Sequence, residues 1–129
     1  MLQRDAFIGE ITKKLEQDKS IFFLSADFGA AALDILRERF PKNFLHCGIS
    51  EQAMLDIASG LALDGNKVFV YAMAPFLSLR ALEQSKCGAG LMNLPICVSY
   101  VVAIIVPLFQ ELVIIEPFNI FKNINLLKH

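Results

Sequence analysis

The sequence predicts an α/β fold, a three-layer arrangement in which helices cover both faces of a parallel sheet. Two observations carry this. Short apolar runs rich in β-branched and aromatic residues (Ile21 to Leu24, Asn43 to Cys47, Lys67 to Met73, Pro95 to Ser99) alternate with segments in which apolar residues recur at helical spacing. The connections between them are short and marked by glycine or proline, and strands alternating with helices through short loops imply parallel pairing.

The first helix comes from Phe7, Ile8, Ile11 and Leu15, which recur between charged residues along one side. Ile21 to Leu24 then forms a buried strand that runs through Ser25-Ala26-Asp27 into a loop holding Gly29. Ala31 to Phe40 is the second helix, with Leu33, Leu36 and Phe40 inward and Pro41 as its stop. The second strand, Asn43 to Cys47, is broken by Gly48, and Ser50 is placed to cap a helix from Glu51 to about Ala62. Gly65 ends that helix, and KVFVYAM, residues 67 to 73, is the third strand. Pro75 suits the first turn of a helix reaching Lys86. Pro95 to Ser99 completes the sheet. Ligands bind beyond the carboxyl ends of strands in such sheets, which selects the loops at Asp27, at Gly48 to Glu51 and at Ala74 to Phe76.

Composition narrows the function classes. The chain has 129 residues, enough for one domain with a core of its own. Its hydrophobic content of 55% excludes intrinsic disorder, and a net charge of -1 without a basic stripe argues against a nucleic-acid partner. Cys47, Cys87 and Cys97 form neither a CxxC pair nor an even set, so reduced thiols in a cytoplasmic protein are expected. The segment from Ile96 to Phe109 is shorter than the roughly 20 residues of a membrane helix and contains Pro107.

Taken singly, the residues at the binding edge have bland readings. An acid such as Glu51 in a first helical turn complements the helix dipole. Asp27 is an ordinary loop acid, Phe76 an ordinary core aromatic, and His46 a residue packed within its strand. No GxGxxG or GxxxxGK[ST] is present, so a nucleotide-cradling loop has no support.

The order of the motifs says more. Gly48-Ile49-Ser50-Glu51-Gln52, then Ile57-Ala58-Ser59-Gly60-Leu61-Ala62, then Phe76-x-x-x-Arg80-x-x-Glu83-Gln84, with Ser25-Ala26-Asp27 upstream, resembles the pyrimidine-binding (central) domain of transketolases and of 1-deoxyxylulose-5-phosphate synthases. The likeness runs over about residues 4 to 99 and is closest in style to the C-terminal section of split, two-chain transketolases. The resemblance implies transfer of two-carbon ketol units between sugars with thiamine diphosphate. Glu51 stands where the family's glutamate hydrogen-bonds N1′ of the aminopyrimidine, and sharing a proton there favours the imino tautomer that activates the cofactor. Phe76 falls where an aromatic ring stacks on the pyrimidine. Met73 stands where many relatives carry a second phenylalanine, and Asp27 matches an acid near the cofactor. Arg80, Glu83 and Gln84 are read as helix residues serving packing or subunit contacts.

Two departures qualify the match. The family's diphosphate-binding domain and its Mg²⁺ ligands are absent from this sequence, so the chain is expected to hold only the pyrimidine end. It is then expected to be inactive alone, and its expected partner is a separate transketolase N-terminal section, which would supply the rest, or a homodimer mate. The likeness also stops near Ser99, which divides the chain into a partial pyrimidine-binding domain (1–100) and a divergent apolar tail (101–129). A back-translation one base earlier permits Gly-Gly at Val102-Ala103 and Gly-His-His at Val113-Ile114-Ile115, so a frameshifted tail is expected. A non-catalytic ligand-binding or partner-docking module is the alternative function. A membrane-associated protein using residues 96 to 115 is a third reading, and a membrane partner is not expected.

Overall fold

The computed structural model describes residues 3–26, 31–102 and 112–118, with side chains through Tyr100. Its elements run α1 (Gln3–Gln17), β1 (Ile21–Ala26), a 3₁₀ turn (Ala31–Leu33) leading into α2 (Asp34–Arg39), β2 (Phe44–Gly48), α3 (Glu51–Leu63) and β3 (Lys67–Met73). Two π-wound helical stretches follow, Phe76–Arg80 and Gln84–Gly90, then β4 (Ile96–Val102) and β5 (Leu112–Phe118).

The strands form one sheet in the order β2-β1-β3-β4-β5, and the first four are parallel as expected. The side-chain alternation of the strands divides the core in two. Leu24, Val68, Val70, Ile96 and Val98 face α3 and the π-wound stretches, meeting Met54, Leu55, Ala58, Leu77 and Ala81. Phe23, Phe69, Tyr71 and Cys97 face the other way, onto Ile8, Ile11 and Leu15 of α1 and Leu33 and Leu36 around α2. The central strands are buried on both faces, which is why KVFVYAM reads as a nearly unbroken apolar run. The second face is aromatic, with Phe23 stacked on Phe44 at 6.0 Å and tilted against Tyr71 at 5.9 Å.

Four features differ from the sequence reading. The helix after Pro75 extends to Gly90 and is largely π-wound rather than α-helical. It packs so closely on α3 that a Cβ at Gly88 would lie 2.8 Å from Ser59 Oγ. The second helix opens with a 3₁₀ turn and is α-helical only from Asp34. His46, expected to be packed, is exposed, because β2 is the sheet's edge strand. Finally, the sheet is not wholly parallel: Leu112–Phe118 pairs antiparallel with β4, from Ile96↔Phe118 to Val102↔Leu112. The β-branched run Val113-Ile114-Ile115 favours a strand, and the connection across 103–111 is shorter than the dozen or so residues a parallel crossover needs. No helix among the described residues is long and apolar enough to cross a membrane.

Topology singles out the carboxyl edge of the sheet. The helix after β1 packs on one face and the helix after β3 on the other, although β1 and β3 are neighbours. Such a switch of faces between neighbouring strands is where open α/β sheets bind ligands.

Candidate functional site

The site begins with the turn between β2 and α3. Gly48 ends β2 at φ +66°, a left-handed conformation that glycine adopts without strain. The chain then reverses through Ile49 and Ser50 into α3. Ser50 does not cap the helix with its side chain, as the sequence suggested. Its hydroxyl instead donates to the carbonyl of Cys47 and ties the turn back onto the strand it has just left. The helix starts on the backbone, with Met54 N–H donating to Ser50 O at 2.9 Å.

This turn sets Glu51 as the first residue of α3 and buries it to 3% exposure. A surface acid at a helix start would satisfy the dipole while remaining in water, so dipole complementarity alone does not account for its burial. Its partner comes from the next strand-to-helix connection. Arg80 Nη1 donates to Glu51 Oε2 at 3.0 Å, across 29 residues of sequence.

The second connection is the end of β3. Met73 is the strand's last residue and is half-buried. Pro75, at φ -63°, is pre-set for a helical first turn, and Ser78 Oγ donates to Ala74 O at 2.6 Å. Phe76 follows, half-buried, and the guanidinium of Arg80 lies 4.2 Å from the centre of its ring. That distance is a stacking contact.

The structure thus brings Glu51 and Phe76 together through the one guanidinium that touches both, and sets Met73 at the end of the adjoining strand. Asp27 lies outside the described residues. Arg80 is the residue that sequence reasoning undervalued. The signal was its position four residues after Phe76, which places it on the same side of a helix, but nothing local tied it to Glu51. Cys47 ends near this turn, and burial pushes its thiol up from the ordinary range. Among the described residues no group of three or more His, Cys, Asp or Glu is arranged to hold a metal.

Residues 2–106 match the family described as "Transketolase, pyrimidine binding domain". Over 84 residues the chain is 38% identical to one of the subunits of the apulose-4-phosphate transketolase of Phocaeicola vulgatus, covering 64% of this chain and 27% of that protein. Over 93 residues it is 36% identical to the 1-deoxy-D-xylulose-5-phosphate synthase of Corynebacterium diphtheriae, covering 71% of this chain and 14% of that one. Among solved structures it resembles a split gene transketolase described as an inactive beta4 tetramer, with a TM-score of 0.66 and 26% identity, over 72% of this chain and 31% of the other. The chain therefore spans about a third or less of the length of the proteins it matches. Transketolases and deoxyxylulose-phosphate synthases are thiamine-diphosphate enzymes. With residues 2–106 matched, this chain belongs to the transketolase pyrimidine-binding domain family.

Proposed function

We propose that this chain supplies the pyrimidine-binding part of a thiamine-diphosphate-dependent enzyme that transfers two-carbon ketol units between sugars, and that it needs a partner to act. The observation that carries the reading is Glu51, a carboxylate buried at the carboxyl edge of the sheet and joined to a flat aromatic face through the guanidinium of Arg80. That donor set suits an aminopyrimidine, which offers a ring to stack and a nitrogen edge to hydrogen-bond. The bound cofactor supplies an electron sink for the two-carbon unit. The chain's own residues orient and protonate. Glu51 shares a proton with N1′ of the pyrimidine, Phe76 fixes the ring plane, and Met73 gives a softer second wall than a phenylalanine would. Asp27 contributes an acid near the cofactor.

The diphosphate and its Mg²⁺ belong, on this reading, to a separate diphosphate-binding subunit, and a second copy of this chain would add only another pyrimidine end. The relatives named as a transketolase subunit and as a split gene transketolase support the two-chain arrangement. Three free thiols, Cys47, Cys87 and Cys97, fit a cytoplasmic location. We also propose that residues 1–100 are the pyrimidine-binding unit and that 101–129 diverge through a shift of reading frame. Coding DNA that lacks the Gly-Gly and Gly-His-His reading one base earlier would refute that shift.

The test of function is reconstitution. The chain is mixed with a diphosphate-binding transketolase subunit, thiamine diphosphate and Mg²⁺, and ketol transfer is followed. Turnover is expected only in the mixture, and Glu51→Gln should lower it by about a hundredfold or more while affinity for the whole cofactor, anchored by its diphosphate and Mg²⁺ on the partner, falls far less. Unchanged turnover in the variant would overturn the role of Glu51. Cofactor bound without turnover would favour the non-catalytic docking module.

A further inference from the structure

The guanidinium of Arg80 makes two contacts at once. It donates to Glu51 Oε2 at 3.0 Å, and its central carbon lies 4.2 Å from the centre of the Phe76 ring. These are the two contacts that the site offers to an aminopyrimidine, namely an edge-on hydrogen bond to a buried carboxylate and a face-on stack against an aromatic ring. A guanidinium suits both, being planar, delocalised and fringed with N–H donors. It has the hydrogen-bonding edge and the flat shape of a protonated aminopyrimidine.

We infer that Arg80 is a self-ligand: with no pyrimidine bound, its guanidinium fills the pyrimidine site, and it must swing out before the heterocycle enters. The inference rests on the pyrimidine-site reading above and adds a competitor built into the chain. Burial explains why a stand-in is useful. Glu51 is 3% exposed, and a carboxylate so buried is costly without a partner. Exposure explains why the stand-in can leave. The Arg80 side chain is 44% exposed, so it lies against open water, and the entering heterocycle replaces it as the partner that Glu51 needs. Phe76 and Arg80 sit four residues apart on one π-wound stretch, so only side-chain torsions need change. The apparent affinity for a pyrimidine is then reduced by the fraction of time the site stands open.

The test titrates the full chain with 4-amino-5-hydroxymethyl-2-methylpyrimidine, which carries no diphosphate, and reads Kd by NMR. Arg80→Ala should bind about tenfold more tightly than the unmodified chain, with millimolar methylguanidinium competing in the variant. Glu51→Gln and Phe76→Ala should both bind more weakly. Weakening in those two with unchanged or weaker binding by Arg80→Ala would sink the self-ligand and leave the pyrimidine site standing. If Glu51→Gln and Phe76→Ala bind as the unmodified chain does, or if no form binds at millimolar probe, the site reading falls and the self-ligand with it. Should Arg80→Ala fail to fold, the Arg80 Nε–H resonance of the unmodified chain decides. Movement toward the position of a free arginine as pyrimidine is added supports displacement, and a resonance that stays put overturns it.

Discussion

Asp18, in the turn between α1 and β1, joins that turn to the start of β3, and replacing it with asparagine tests how the sheet is clipped together. One carboxylate oxygen accepts from the backbone N–H of Ser20 at 2.9 Å and from its hydroxyl at 2.6 Å. The other accepts from Lys67 Nζ at 2.7 Å. The Lys67 ammonium, helped by Ser20, lowers the Asp18 carboxyl from 3.8 to about 2. That drop sets a ceiling of about 2 kcal/mol on the stabilisation. The side chains are 32% and 45% exposed, so water and salt screen the pair and about 1 kcal/mol is expected. Because the folded group is the stronger acid, its contribution is complete above the unfolded value of 3.8 and fades as pH falls from there toward 2. Urea unfolding of the unmodified chain and Asp18→Asn should therefore show a gap of about 1 kcal/mol at pH 7 that shrinks steadily below pH 4. A gap equally large at pH 2 would refute the reasoning, as would an Asp18 carboxyl resonance in the folded chain with its midpoint near 3.8.

Two further outcomes follow from burial. The three thiols should react with a thiol-specific reagent at pH 8 in the order Cys87, Cys47, Cys97. Cys87 is exposed, and Cys47 is half-buried with its thiol pushed up by burial. Burial pushes Cys97 up to about 11 although the hydrogen bond with Ser99 pulls the other way. Prompt labelling of Cys97 in the folded chain would contradict the placement of β4. Leu55 is fully buried between α3 and the sheet, and Leu55→Ala should cost about 3 kcal/mol in urea unfolding. A cost under about 1 kcal/mol would mean that this face of the sheet is not packed as described.

The α/β class, the four parallel strands and the sequence positions of Glu51 and Phe76 were legible before any coordinates. They depend on local quantities: hydrophobic period, glycine and proline at element ends, and motifs held at fixed spacing. Each is printed in consecutive residues. The carboxyl-edge location followed as well, since a parallel sheet puts the ends of β1, β2 and β3 on one side whatever its strand order.

What depended on approach between distant segments was not legible. Ser50 looked like a cap because its type suits that role, but the fold turned its hydroxyl back to Cys47. His46 looked packed until β2 proved to be the edge strand, and strand order is a property of the whole sheet. The antiparallel β5 came from a stretch whose partner, β4, is specified only by the sheet edge left open. Arg80 is the plainest case. Its sequence neighbours explain its nearness to Phe76, while its bond to Glu51 exists only because β2 and β3 deliver their following turns to the same edge. Periodicity fixes which side of an element a residue occupies, but a hydrogen bond across 29 residues is decided by where two elements meet.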